Sequence, residues 1–467
     1  MRASEREHPT ITKVLAVPAV GAGYYEDLAA LQAGYVALPQ RFTAPAVTPG
    51  FRAVREVAEA VSIGLVLDTG QIAWGDCIAV SYSGKAGRDP VFRTEVGLAA
   101  IQNVVAPYLQ GRELAGFREL AAKVDTLGET VEITRRQSRS EPPRGEGVSR
   151  RALITVPARM LQAARGEEEP TEQVTVTRPL HTAVRYGVSQ ALLGAVAAAR
   201  NLTMAEVIAQ EWDLPMPSAA VPIHAQSGSE RYYNAEKMIA RRVASLPHAL
   251  VDDIPGQVGK EGAELTRYLR WLSQRIGTLG GPDYQPAIHL DLHGALGRLY
   301  DNDSGRMLGQ LLAWELAARP YRLRIESPVL LESRRAQIQA MKTLREYVGF
   351  RKMDVELVAD EWANSLDDVR AFVDAGAADM IQIKMPDLGS VHNSIEAVLV
   401  CKAGGVGALL GGSYAETDLS ARVSTHVALA TQPDLLMAKP GVGVDEAISL
   451  VQNEMARSLV SIQEHTG

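Results

Sequence analysis

The chain has 467 residues, 46% hydrophobic and 22% charged, a globular balance long enough for two domains with their own cores, which excludes overall disorder. A formal net charge of -7 and a pI near 5.8 exclude a polyanion as the main partner, because nucleic-acid binders carry surplus Lys and Arg against phosphate. Two distant cysteines, Cys77 and Cys401, make neither a disulfide framework nor a zinc cluster, and the expected ligand is a small molecule.

The first residues, MRASEREHPTITK, lack an apolar signal core, and no window reaches the roughly 18 uninterrupted apolar residues of a membrane span. A cytoplasmic protein, neither exported nor membrane-bound, is therefore expected. Between Ile11 and Tyr82, the runs VLAVPAVGAGYY, IGLVLDTGQIAWGD and CIAVSYSG read as strands joined by Gly-rich turns. Apolar residues from Val96 to Leu109 recur at helical spacing, so residues 1–180 are expected to form an N-terminal α+β domain. Within it, residues 131–177, with RRQSRSEPPRGEG and RGEEEPTE, are too polar to bury much surface and read as a solvated, loop-like insertion.

From residue 181 onward a long Ala-rich helix, AVRYGVSQALLGAVAAAR, leads into eight short apolar runs separated mostly by helical patterns. The runs are VPIHA, PHALV, AIHLDL, YRLRIE, DVELVA, DMIQIK, VGALLG and DLLMA. Such βα alternation predicts a parallel sheet, and eight units in this length predict an α/β fold with a closed (β/α)8 barrel over residues 181–467. A doubly wound open sheet is disfavoured because no Gly-rich phosphate fingerprint follows the first strand.

Catalytic groups of such a barrel sit at the C-terminal strand ends. The residues there are Gln226, His248, Asp291, Glu326, Asp360, Lys384, Ser413 and Met437, seven of them polar. Asp291, Glu326 and Asp360 recur at spacings of 35 and 34 residues and would close three neighbouring strands. Three acids sharing a small volume need a compensating cation, and carboxylate oxygens suit Mg2+. Period-2 alternation puts Gln382 and Lys384 on the face opposite Ile381 and Ile383. A lysine near a dication in a partly desolvated cavity is expected to have a lowered pKa and to serve as a general base, with His248 across the mouth. In HLDLH, His289, Asp291 and His293 alternate onto one face and offer a competing zinc or iron site. The glycines of GGVGALLGGS match neither phosphate-binding fingerprint and read as a tight turn.

These residues sit in motifs that resemble the methylaspartate ammonia-lyase family of the enolase superfamily. The motifs are AQSGSERYYNAEKMI, LPHALVDD, HLDLHGALG, RIESP, VADEW, QIKMPDLG, GGSYAET and AKPGVGVDEA, with GDCIAVSYSGKAGRDP near the N-terminus. The resemblance covers nearly the whole chain outside the insertion. It implies a magnesium triad of Asp291, Glu326 and Asp360, with Lys384 and His248 as bases on opposite substrate faces. It also implies Gln226 and Gln382 as donors to substrate carboxylates, an N-terminal domain that brings Ser81 over the barrel mouth, and a homodimer. Deamination would begin with proton abstraction next to a carboxylate and pass through an enediolate, since a Lys or His base working beside magnesium is the general pattern of enolase-type sites.

Departures cluster where substrate identity is set. Ser413 and Tyr414 stand where Thr and Cys are expected, Ser81 replaces Gln, His224 an aromatic residue, and Met437 a Leu lining the pocket. The leading expectation is an ammonia-lyase for 3-methylaspartate or a related amino acid. The alternatives are an epimerase, racemase or dehydratase on another carboxylic acid, and a non-catalytic ligand-binding barrel.

Overall fold

Three β-branched and apolar runs open the chain as an antiparallel sheet in the computed structural model, which describes residues 8–34, 36–136, 171–228, 230–251, 253–439, 441 and 443–466. Strands β1 (Ile11–Glu26), β2 (Arg55–Leu67) and β3 (Ile72–Cys77) pair in that order. The run CIAVSYSG, expected as a strand, ends its pairing at Cys77. Beyond it the Ser81 carbonyl still accepts from the Glu26 amide at the end of β1 at 2.9 Å, while the Ser81 amide donates to Ser413 Oγ past β12 at 3.1 Å, so the chain passes there from the sheet to the barrel.

Helix Thr182–Arg200 lies against this sheet, burying Val184, Val188, Leu192 and Val196. Contact is close because Gly75 and Gly187 face each other; a Cβ on either would overlap the other segment's backbone. From sequence this helix counts with the barrel, because only its own periodicity is visible there, not the sheet it covers.

Residues 128–180 form a separate unit. There the expected loop is partly replaced by a two-stranded ribbon, β4 (Gly128–Arg136) against β5 (Thr171–Pro179), in register from Gly128↔Pro179 to Arg136↔Thr171. Thr and Val recur in both runs, and these β-branched residues favour extended backbone despite the polar composition. Residues 137–170, the centre of the predicted insertion, lie outside the described residues.

All eight predicted barrel strands are present as β6 (Ile223–His224), β7 (Ser245–Leu250), β8 (Ala287–Asp291), β9 (Leu323–Glu326), β10 (Val355–Ala359), β11 (Met380–Lys384), β12 (Gly407–Gly411) and β13 (Leu435–Met437). They close as a parallel barrel in the order β10-β11-β12-β13-β6-β7-β8-β9. Helices follow the strands, several capped by side chains at their first turn, as Ser333 accepts from Ala336 and Ser365 from Asp368. Val358, Met380, Leu409, Leu435 and Met437, from four neighbouring strands, form one buried apolar cluster. Burying each such side chain contributes roughly 1.5–3 kcal/mol, so a packed plug supports the polar groups above it. Among the described residues, no single helix is long and apolar enough to cross a membrane.

Candidate active site

Parallel pairing of β8 with β9 places Asp291 beside Glu326, and Asp360 follows β10 one residue past its last. All three acids are buried, with Glu326 at 0% exposure. Oxygens of Asp291 and Glu326 and a ring nitrogen of His248 lie within 4.8 Å of one another, a spacing that one ion can bridge. Asp360 is engaged on both oxygens: Lys384 Nζ donates to Oδ2 at 2.6 Å and Arg88 Nη2 to Oδ1 at 3.1 Å. Gln382, inward on β11 as its alternation predicts, donates from Nε2 to Glu326 Oε1, while its own Oε1 is buried without a partner. Left-handed backbone at His248 (φ 43), His293 (φ 43) and Ser327 (φ 47) clusters at these same strand ends. Each such residue costs on the order of 1–3 kcal/mol, which the surrounding fold must hold in place.

Crowded acids and burial set the electrostatics. Burial, then the charges of Asp291 and Asp360, push the Glu326 carboxyl well above its ordinary range. Burial would raise Asp291 too, but His293 beside it, Nε2 to Oδ2 at 3.0 Å, outweighs burial and holds it low. Burial would lower the His293 imidazole, yet Asp291 carries it up to about 9. His248 is pushed down to about 4 by burial, against the pull of Asp291. For Lys384 burial favours the neutral amine, but Asp360 outweighs it and the net direction is upward. The lowered lysine expected from sequence presumes a cation; the protein's own groups favour the ammonium, because Asp360 pairs with it directly.

His248 stands on β7 and Lys384 on β11, four strands apart in a ring of eight and so diametrically opposed. Between them a cavity of about 30 Å³ is lined by Ser81, Gln226, His248, Asp291, Lys384 and Tyr414, among others. Gln226, Leu250 and Tyr414 also line an outer chamber of about 470 Å³ that reaches Glu26, Arg41 and Arg55 of the N-terminal region. The wall between the chambers joins distant segments: the Ser81 amide donates to Ser413 Oγ at 3.1 Å, and the two hydroxyls lie 3.0 Å apart. The Tyr414 side chain fits because Gly23 and Gly441 flank it; a Cβ on either would overlap it.

The structure gathers Asp291, Glu326, Asp360, Lys384, His248, Gln226, Gln382, Ser81, Ser413 and Tyr414 at one mouth. Two expected pocket residues sit beneath it. His224 Nε2 lies 2.8 Å from His248 Nδ1 and its Nδ1 2.9 Å from Ser245 Oγ, so it supports the His248 ring. Met437, buried at the last position of β13, packs with Leu435 in the apolar cluster and is not among the residues lining either chamber. In HLDLH, His289 lies 2.7 Å from Glu326 and His293 3.0 Å from Asp291, so the histidines mainly orient acids. His224, His248 and His289 also cluster within 4.8 Å, but two of those rings are already bonded to each other. Arg88, fully buried and shared by Asp360 and Asp387 (2.7 Å), is a site residue that sequence reasoning misses. It arrives from a Gly-rich N-terminal loop without periodicity, and only the excess of buried acids could have signalled a need for it.

Family models for the methylaspartate ammonia-lyase N-terminus and C-terminus match residues 10–140 with 146–213, and 215–464. The chain belongs to the methylaspartate ammonia-lyase family. Methylaspartate ammonia-lyase 2 of Carboxydothermus hydrogenoformans is 40% identical over 458 residues, covering 98% of this chain and 99% of the relative. The β-methylaspartase of Clostridium tetanomorphum, solved as a magnesium complex, superposes with a TM-score of 0.80 at 38% identity, covering 98% of this chain and 100% of that one. The Citrobacter amalonaticus methylaspartate ammonia-lyase containing (2S,3S)-3-methylaspartic acid gives a TM-score of 0.83 at 36% identity, covering 97% and 100%.

Proposed function

We propose that this methylaspartate ammonia-lyase family member uses magnesium to eliminate ammonia from (2S,3S)-3-methylaspartate. The observation that carries the reading is a buried lysine at one barrel strand end, paired with one of three neighbouring acids, in a chain related to these lyases along its whole length. Asp291, Glu326 and Asp360 would hold the ion. The donor set fits it: hard carboxylate oxygens, a Glu326 carboxyl driven up by burial and its neighbouring acids, and an unpartnered Gln382 Oε1 nearby. When bound, the magnesium ion supplies positive charge that stabilises negative charge growing on a substrate carboxylate.

Lys384 reaches its basic form as the charge of Asp360 is taken up in ligation, and it then removes the proton from the carbon beside that carboxylate. The C–H electron pair first moves onto that carboxylate as an enediolate; it then returns to form the new C=C bond while the C–N pair leaves with the substrate's ammonium group as neutral ammonia. His248, opposite Lys384, faces the other side of the substrate and serves the other configuration at the reacting carbon. Gln226 and Gln382 orient the two carboxylates, and Ser81, Ser413 and Tyr414 shape the side that holds the rest of the molecule. His224 and Met437 act from below, through His248 and the barrel layer.

We propose that the capping part extends past the expected boundary at residue 180 to take in the Thr182–Arg200 helix, which packs on the N-terminal sheet, and that the protein is a cytoplasmic homodimer, whose dimeric state light scattering tests. Incubation with (2S,3S)-3-methylaspartate and magnesium in deuterated water tests the reaction. Release of ammonia with an unsaturated diacid supports it. Deuterium incorporation into unreacted substrate with inverted configuration and no ammonia would replace it by epimerisation.

A further inference from the structure

A second set of buried charged groups lies outside the acids and bases described above. Tyr186, Glu416 and Lys439 are 0%, 0% and 1% exposed. They come from helix Thr182–Arg200, the turn after β12 and the segment after β13. Glu416 is their hub. Its Oε1 accepts from the Tyr186 hydroxyl at 2.6 Å, and its Oε2 accepts from the Ser413 amide at 2.8 Å and lies 3.1 Å from Lys439 Nζ. Lys439 also donates to the Gly411 carbonyl at 2.9 Å. Both ends of the Gly411–Gly412–Ser413 turn are thus held by one buried ion pair, and a Cβ on Gly412 would overlap both partners.

A buried pair of this kind is a poor way to gain stability, since apolar replacements of similar volume often do as well or better. What it does that an apolar cluster cannot is fix the directions of a carbonyl and an amide within one turn. That turn carries Ser413, whose hydroxyl meets Ser81, and Tyr414, which walls the inner cavity from the outer chamber. The bonds of the network run to this turn, not to Asp291, Glu326 or Asp360.

We infer that Glu416, Lys439 and Tyr186 are positioning residues that set the Ser413–Tyr414 wall and through it substrate affinity, leaving ion binding untouched. The kinetic part of this inference rests on the proposed deamination; the amide of Ser413 provides a readout that does not.

The experiment compares Lys439→Met, the pair Lys439→Met with Glu416→Gln, and Tyr186→Phe in the full chain. Hydrogen exchange of the segment containing Ser413, magnesium affinity by calorimetry, and KM and kcat for (2S,3S)-3-methylaspartate are measured. Lys439→Met leaves a buried carboxylate unpaired; about ten-fold faster exchange at Ser413 and an about ten-fold higher KM are expected, with kcat and magnesium affinity within about three-fold. The pair restores KM to within about three-fold, because the glutamine oxygen still accepts from the Ser413 amide and no charge remains unpaired. Tyr186→Phe, which loses only a hydroxyl, keeps the inference testable if Lys439→Met does not fold; it raises KM about three-fold with faster Ser413 exchange.

Wild-type exchange and KM in the folded variants would overturn the inference, as would equally accelerated exchange in β8 and β9, the sign of plain destabilisation. Failure of the unmodified enzyme to deaminate methylaspartate would sink the proposed reaction while the Ser413 exchange still decides this one.

Discussion

Two halves of the barrel mouth are built by different means. From β8 to β11 each functional group closes a regular strand, and neighbours in sequence order are neighbours in space: Asp291 beside Glu326, then Asp360 held by Lys384. Around β12 the wall is a patchwork, in which Ser413 meets Ser81 from the N-terminal region and Tyr414 is flanked by Gly23 and Gly441. The first half concentrates charge, so its geometry is dictated by what those charges need. The second presents shape and neutral hydroxyls to the cavity, with its one buried ion pair, Glu416 and Lys439, turned to the backbone behind, so a changed side chain at Ser413 or Tyr414 alters fit and leaves the charge balance alone. On the proposed function, that contrast puts reaction type and substrate choice in separable parts of the molecule.

If the halves are separable, damage to the acids should be severe and damage to the wall graded. Glu326→Gln removes a buried oxygen donor from the acid cluster and should weaken magnesium binding more than about 100-fold, while thermal stability of the metal-stripped protein holds or rises, because a carboxyl forced upward by its neighbours is gone. Calorimetry and a melting curve check both signs. Unchanged affinity would remove Glu326 from the ion site.

His248→Ala should cost about 100-fold in turnover of one methylaspartate diastereomer and far less for the other, since the base opposite it remains. Equal losses for the two would break the two-face arrangement. Tyr414→Cys should change KM about three- to ten-fold with magnesium affinity intact, and shift preference toward bulkier substrates. A collapse of kcat instead would mean that the wall takes part in the chemistry.

The smallest effect is on stability against pH in metal-stripped protein. His248 has an ordinary pKa of 6.5 and is held at about 4 in the fold, chiefly by burial. Its folded value is depressed, so its contribution is present above 6.5 and lost as the pH falls toward 4. His293 runs the other way: Asp291 overcomes burial and lifts it to about 9, so its contribution is full below 6.5 and fades as pH rises toward 9. His248→Gln should flatten the acid limb by on the order of a few degrees in Tm, leaving the alkaline limb alone.

The same contrast explains what the sequence made legible. Strand alternation and regular spacing announce Asp291, Glu326, Asp360, Gln382 and Lys384, because a barrel turns every second residue inward and its strand ends upward. All eight strands follow from the same periodicity. Arg88 and Ser81 are invisible to it: they lie on a loop whose path is set by contacts with residues hundreds of positions away. Met437 and His224 are placed less sharply by it: Met437 packs in a buried apolar cluster and His224 bonds the His248 ring, since a strand-end position names an azimuth around the barrel but not the depth of the side chain within it. The β4–β5 ribbon is hidden by charge, although its Thr and Val residues carry the β signal.

In the proposed reaction the acid-lined half performs proton abstraction with Lys384 as the base. The most direct measurement is the rate of unsaturated diacid formation from (2S,3S)-3-methylaspartate, with and without magnesium, for the natural chain and Lys384→Ala. Magnesium-dependent turnover that falls by about 1,000-fold or more in the variant, with magnesium still bound, is the predicted result. Turnover that survives the substitution, or proceeds unchanged after chelation, would contradict it.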